Sequence, residues 1–284
     1  VTRKRIIYLT AVFLLMITTA GYLVWQNNAI QVSYFDYSDS TLPSTFDGFK
    51  VVQVSDLHNK DFGNQLIDKV YDENPDIIVV TGDVIDRTRT DVPIAVNAME
   101  EMVEIAPVYF VSGNHEVTSE EFDFLQLEME RIGVINLDNS HEVLEIDGSE
   151  IGLIGMEDPL LLLYEDIERV GSAELLLQSR LEQLLEESGT EFNLLLSHRA
   201  ELMEVYADSA VNIVLTGHAH GGQIRIPFIN GIYAPSQGFL PEYTSGMYEQ
   251  GGTSMIVSRG LGNSVFPLRI NNRPELVVLT LEAS

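Results

Sequence analysis

Five short runs of apolar, branched side chains recur along the chain, each closed by a small polar residue: Val51 to Ser55, Ile77 to Thr81, Val108 to Ser112, Leu194 to Ser197 and Ile213 to Thr216. Hydrophobicity that is continuous rather than alternating over four or five positions predicts strands buried on both faces, as in parallel sheets. Between them, Gln65 to Asp72, Val92 to Ile105 and Ser119 to Arg131 carry apolar residues at helical spacing, with Ser119 ahead of Glu120 and Glu121 as a helix start. Strand then helix, repeated, predicts an α/β sheet. Val134 to Leu137, Val143 to Ile146 and Ile151 to Gly155 follow in quick succession, with Asp147-Gly148 turning between the last two, and predict a hairpin-rich second sheet. A helix at about Ala173 to Glu187 and late strands at Gln223 to Ile226, Met255 to Ser258 and Leu276 to Leu281 complete a second α/β half. Upstream, partial alternation at Ile30, Val32 and Tyr34 predicts a strand that runs into a turn at Leu42-Pro43.

Ile6 to Trp25 follows a different pattern. These 20 residues are uncharged and mainly apolar; at ~1.5 Å per helical residue they span about 30 Å, the thickness of a bilayer's hydrocarbon core. Arg3, Lys4 and Arg5 precede them, so the positive-inside rule places the N-terminus in the cytoplasm and the rest outside, with Tyr22 and Trp25 near the outer interface. The expected organisation is an anchor or signal segment over 1–27 and one domain over 28–284. A cleaved signal peptide, with the small residues Thr18 to Gly21 as cleavage site, is the other reading, and it yields a secreted domain. Both export the body of the chain.

Charge sharpens that division. The chain carries a formal net charge of −27 and contains no cysteine. The first acid is Asp36, so the residues after the anchor carry 13 basic against 43 acidic side chains. Such a field repels polyanions, and no nucleic-acid partner is expected. Disulfides and thiolate metal sites are excluded.

Five of the six histidines fall in short motifs at the ends of the apolar runs: Asp56-Leu-His58, Gly113-Asn114-His115, Ser197-His198 and Gly217-His218-Ala-His220. With Thr81-Gly82-Asp83 they read as one metal site. Imidazole nitrogen and carboxylate oxygen suit Mn, Fe or Zn, and an ionised aspartate can bridge two cations. Strand ends are also where α/β sheets bind ligands. Taken singly each residue has a duller reading: His198 as a hydrogen-bonded structural histidine, Asp83 or Asn114 as a turn residue.

In this order the motifs resemble the calcineurin-like metallophosphoesterase superfamily. Val54 to Asn59, Asn74 to Asp86, Gly217 to Pro227 and Ser258 to Ser264 are similar to its bacterial membrane-associated branch, which includes YkuE-like phosphoesterases. The resemblance implies two mixed sheets packed as a sandwich with helices outside, a four-layer α/β/β/α fold, here preceded by one transmembrane helix. It implies two divalent metals, Mn favoured over Fe or Zn. One would be held by Asp56, His58, Asp83 and His220, the other by Asp83, Asn114, His198 and His218, with Asp83 as the bridge. The implied reaction is attack of a metal-bridged hydroxide on a phosphate ester. His115 would protonate the leaving oxygen, Asn114 would also touch substrate, and Asp86 would orient a ligand from behind. Arg259 is open between holding a phosphate and bracing its loop.

Two segments are candidates for choosing the substrate, a phosphorylated small molecule or lipid: Leu160 to Tyr164 and the aromatic-rich Pro227 to Tyr248, in which Tyr233, Phe239 and Tyr243 stand out. The leading expectation is a membrane-tethered phosphoesterase acting outside the cytoplasm. A pyrophosphate hydrolase acting on a nucleotide-sugar lipid and a non-catalytic metal-binding scaffold are the alternatives.

Overall fold

The apolar runs do form strands buried on both faces. In the structure, a computed structural model, residues 3–162, 164–209, 211–263 and 266–284 are described, together with the backbone but not the side chain of Tyr164. The chain begins with helix α1 (Arg3–Asn28), followed by β1 (Gln31–Asp39), β2 (Lys50–Val54), α2 (Asn64–Glu73), β3 (Ile77–Thr81), α3 (Val92–Val103) and β4 (Val108–Val111). Next come α4 (Asn114–Val117), α5 (Phe122–Ile132), β5 (Ile135–Asn136), β6 (Ser140–Ile146), β7 (Ser149–Gly155), α6 (Tyr164–Val170), α7 (Ala173–Ser188), β8 (Asn193–Arg199), α8 (Met203–Asp208) and β9 (Ile213–Gly217). Two small hairpins, β10 (Arg225–Ile226) with β11 (Asn230–Gly231) and β12 (Tyr233–Ala234) with β13 (Gly238–Phe239), precede β14 (Gly246–Gln250), β15 (Thr253–Val257) and β16 (Glu275–Ala283).

Two six-stranded mixed sheets result, with orders β1-β16-β2-β3-β4-β5 and β14-β15-β9-β8-β7-β6. Alternate residues of each central strand enter different layers. Val51, Ile77 and Val79 of the first sheet meet Leu194, Leu196, Ile213 and Leu215 of the second in an inter-sheet core. Val52, Ile78 and Val80 pack outward under α2, α3 and α5, while Leu195 and Val214 pack outward under α7 and α8. Three apolar layers therefore separate four structural ones, the α/β/β/α arrangement. Buried Gln53 ties the sheets together, donating to Thr81 Oγ1 (2.8 Å) and to the Thr216 carbonyl (2.9 Å).

Some local expectations change. Ile135–Asn136 joins the edge of the first sheet, parallel to β4, instead of the second; a strand reached through a helix returns parallel to the one before it. The helix expected from Ser119 starts at Phe122, with Ser119 in the preceding turn. Leu160 and Leu161 lie exposed on a single 3-10 turn opened by Pro159 and capped by Asp158, so they are not helix core. Leu163 and the side chain of Tyr164 fall outside the described residues.

At 26 residues, α1 is long and apolar enough to cross a membrane, and its central side chains are exposed. Its C-terminal end is not free. Gln26 and Asn27 are buried against the segment Arg269 to Asn272: Asn27 Oδ1 accepts from the Arg269 backbone (2.9 Å), and Gln26 Oε1 from that of Asn272 (3.1 Å).

Candidate metal centre

The parallel strands β2, β3, β4, β8 and β9 end at one edge of the sandwich, and the loops beyond them interlock. Asp56 N donates to Gly82 O, His58 N to Asp83 O and Asn59 N to Val84 O, each at 3.0 Å. Asp56, His58, Asp83, His218 and His220 all adopt positive φ, between 48° and 65°. For side chains with a Cβ that region costs on the order of 1 kcal/mol each, so the interlocking bonds hold these residues in a strained, pre-set arrangement. Gly113 is required for a different reason: a Cβ there would run into the Asp83 carboxylate.

Two pockets share one carboxylate. In the first, donor atoms of Asp56, His58, Asp83 and His220 lie within 4.8 Å of one another. His58 Nε2 is 3.1 Å from His220 Nε2 and 3.7 Å from Asp83 Oδ2, and His220 Nε2 is 3.3 Å from Asp56 Oδ1. In the second, His198 Nε2 is 3.2 Å from Asp83 Oδ2 and 3.1 Å from His218 Nδ1. Asp83 Oδ2 thus faces both. Asn114 stands beside them, because the next residue, His115, donates its backbone N–H to Asp83 Oδ1 (2.8 Å).

These residues fit divalent cations. Asn114 Oδ1 is buried with no protein partner, an arrangement that otherwise costs about 1–3 kcal/mol. His198 Nδ1 lies 2.8 Å from the Thr81 carbonyl, which puts the proton on that nitrogen and leaves Nε2 free to ligate. Burial drives His58 down to about 4, and His218 and His220 well below the ordinary imidazole range. They remain neutral, as metal ligands must be. Burial works against a charge on Asp83 too, but His198, His58 and His115 hold it well below the usual carboxylate range. On His198 burial is outweighed by Asp83 and Asp56, which raise it to about 10, so without a metal Nε2 is protonated as well and a cation entering there displaces that second proton.

His115 is placed differently. Its Nδ1 accepts the Arg87 backbone N–H (3.1 Å), so the neutral ring carries its proton on Nε2, and its ring lies edge-on to His58 with centroids 4.4 Å apart. Asp86 groups with His58 and His115, while its Oδ1 accepts from Thr88 N (2.8 Å) and Thr88 Oγ1 (2.5 Å) and so fixes the turn after Asp83. Arg259 turns toward Glu275: Nη2 is 2.7 Å from Oε1, and its backbone N–H donates to Oε2 (2.8 Å). That pairing supports the bracing role. A cleft of about 440 Å³ opens beside His58, its wall carrying Lys60 and Arg89 as well as Asp86 and Asp91.

Three features are absent from the sequence reading. Buried Glu116 accepts from Asp83 N (2.7 Å), Gly113 N (2.8 Å) and Ile85 N (3.1 Å), clamping the β3 and β4 loops together. A Glu three residues after a strand-end glycine is capping-box spacing and was the available signal. Asp158 grips Arg199 with two bonds (2.6 and 2.9 Å), and Arg199 Nη1 lies 2.9 Å from both His218 Nε2 and Ser236 Oγ. Arg269, fully buried behind His220, donates to the carbonyls of Gly262 and Arg259. Neither arginine lies in a pattern that marks it in the sequence.

A carboxylate shared between imidazole pockets, at the strand ends of a double-sheet α/β sandwich, defines a metal-dependent phosphohydrolase. Residues 49–222 match the family model described as calcineurin-like phosphoesterase, and the chain belongs to that family. It is 32% identical over 263 residues to the uncharacterized metallophosphoesterase YkuE of Bacillus subtilis (strain 168), covering 90% of this chain and 86% of that one. It is 25% identical to phosphodiesterase YaeI of Escherichia coli (strain K12), covering 99% of both. A transmembrane protein with metallophosphoesterase domain from Bos taurus is 26% identical, over 99% of this chain and 64% of its own length.

Proposed function

We propose that the chain is a membrane-tethered, dinuclear phosphoesterase that acts outside the cytoplasm, on a phosphate ester of an envelope component or lipid. The observation that carries the site is the convergence of Asp56, His58, Asp83, His198, His218 and His220 around one carboxylate, with Asn114 Oδ1 left unpartnered next to it. Asp56, His58, Asp83 and His220 would hold one cation, and Asp83, Asn114, His198 and His218 the other. Two such cations supply Lewis acidity, lowering the pKa of water and offsetting phosphate charge.

The remaining chemistry falls to the chain itself. Arg89 at the cleft wall offers the anionic substrate a local cation against the overall negative field. His115, its ring edge-on to His58, carries a proton on Nε2 and gives it to the departing oxygen. Asp86 keeps the Arg87 turn, and with it His115, in register.

Metal-stripped protein should be inactive toward an activated aryl phosphate and regain activity with Mn at two equivalents per chain; full turnover without metal overturns the site. His115→Gln should slow esters with poor leaving groups far more than the nitrophenyl ester, which needs no proton. For topology, the chain lacks cysteine, so Ser284→Cys gives a single thiol. In intact cells a membrane-impermeant maleimide should label it, and labelling only after lysis reverses the orientation.

A further inference from the structure

Residues 226–241 contain no charged side chain, in a chain where 21% of residues are charged. They build the two small hairpins β10–β11 and β12–β13, and their tips are greasy and uncovered. Phe228 is fully exposed, Phe239 and Leu240 are 79% and 69% exposed, and Ile229 and Tyr233 are about half so. Tyr233 and Phe239 stack edge to face at 5.4 Å, and Ile232, between the hairpins, donates its N–H to the Ile224 carbonyl (3.0 Å) and accepts from Leu240 N (2.9 Å), so the hairpins form one surface. Exposed Phe266 extends it across a small apolar hollow lined by Ile224, Ile232 and Tyr233.

The position of this surface relative to α1 identifies what covers it. Tyr22 Oη donates to Asn271 Oδ1 (2.5 Å), and Asn271 Nδ2 donates to the carbonyl of Arg225, where the first hairpin begins. Tyr22 lies six residues, or roughly 9 Å, before the helix end at Asn28. The hairpin therefore springs from the level of Tyr22 and Trp25, aromatic residues of the kind that mark a membrane interface. The surface is also anchored to the metal centre, since Ser236 Oγ lies 3.2 Å from His218 Nε2.

We propose that the Phe228–Ile229 and Phe239–Leu240 tips insert into the outer leaflet of the bilayer that α1 crosses, holding the metal centre against the headgroups. The proposal rests on reading α1 as a retained anchor. A neutral, aromatic tip suits that position: each buried apolar side chain adds about 1.5–3 kcal/mol, and no charge has to be desolvated on insertion.

The test uses the full chain in phosphatidylcholine vesicles brominated high on the acyl chains. Trp25 is the only tryptophan, so its quenching reports the anchor directly. In a Trp25→Phe background, Phe228→Trp and, separately, Phe239→Trp should each lose emission to an extent comparable with Trp25. Leu127→Trp, an exposed position on α5 in the helical layer over the first sheet, should be unaffected. If Trp25 itself is not quenched, the anchor reading fails. If Trp25 is quenched but neither hairpin probe is, the anchor stands and this proposal is overturned. A hairpin probe that shifts to the blue without quenching means that a second copy or another protein covers the surface, which overturns it as well.

Discussion

The two sheets contribute unlike halves of the candidate metal centre. Loops beyond the first sheet would supply both carboxylates, Asp56 and Asp83, along with His58, Asn114 and the proposed proton donor His115; the end of β8 and the loop beyond β9 would supply only imidazoles, His198, His218 and His220. Their supports differ in the same sense. The first half is held by a buried acid, Glu116, that collects three backbone N–H groups. The second is backed by cations, Arg199 behind His218 and Arg269 behind His220. With both acids on one side and imidazoles backed by cations on the other, the potential is graded across the site. The shared charge is concentrated on Asp83, at the junction.

The contrast breaks most completely at that junction. Asp83→Asn keeps the shape and removes the shared negative charge from both pockets at once. Partners behind the ligands typically matter by ~10–100-fold, so the bridge itself should cost on the order of 1000-fold or more in kcat/KM. The two-metal stoichiometry should fall with it, as read by metal analysis after gel filtration. An Asp83→Asn variant that keeps both metals and near-normal turnover would show that the halves do not depend on a common carboxylate.

Weaker changes test whether the two supports are equivalent. Glu116→Gln keeps the volume but points an amide N–H₂ at backbone donors, so the Asp83 and Gly113 loops should loosen. Arg199→Lys keeps the charge but loses the two-bond grip on Asp158. Each should lower kcat/KM by roughly 10–100-fold. Arg199→Lys should do so mostly by weakening metal affinity at the His218 pocket, and excess Mn should restore much of it. Glu116→Gln disturbs the shared carboxylate, and excess metal should restore little. Equal rescue in both variants would erase the distinction between the halves.

This asymmetry also explains what the sequence could reveal. The ligand motifs are legible because each follows directly on an apolar strand, and strand ends in α/β sheets converge in space. The four-layer fold is readable for the same reason: Val51, Val52, Ile77 and Ile78 alternate between two cores, and only a doubly covered sheet needs both faces greasy. The supports are not readable. Asp158 and Arg199 are 41 residues apart and meet only because β7 and β8 are neighbours. The docking of Asn27 on Arg269 spans 242 residues with no local pattern. The pattern around Ile135 points to the wrong sheet because a two-residue strand carries too little periodicity to show which core it faces.

The smallest expected effect lies at the rim of the first half, where acid is used without metal. Asp138 accepts from Ser112 N (2.7 Å) and Ser112 Oγ (3.0 Å) at the end of β4, and among the described residues no cation pairs with it. Burial outweighs those hydrogen bonds and raises its carboxyl to about 6 from 3.8. The folded chain then holds this proton more tightly than the unfolded chain. Below about pH 4 both states are protonated and the contribution is intact; as pH rises toward 6 the unfolded state releases its proton first, and stability is lost until both are ionised. The side chain is only half-buried, so water screens part of the charge and the loss should be on the order of 1 kcal/mol, less than the shift alone implies. Asp138→Asn keeps an oxygen for Ser112 and cannot ionise. Urea unfolding of the full chain in detergent should show the variant losing less stability than wild type between pH 4 and pH 7. Parallel losses in the two proteins would mean that Asp138 keeps its charge in the fold without penalty. The rim of the acidic half would then be as well compensated as Asp158 is by Arg199.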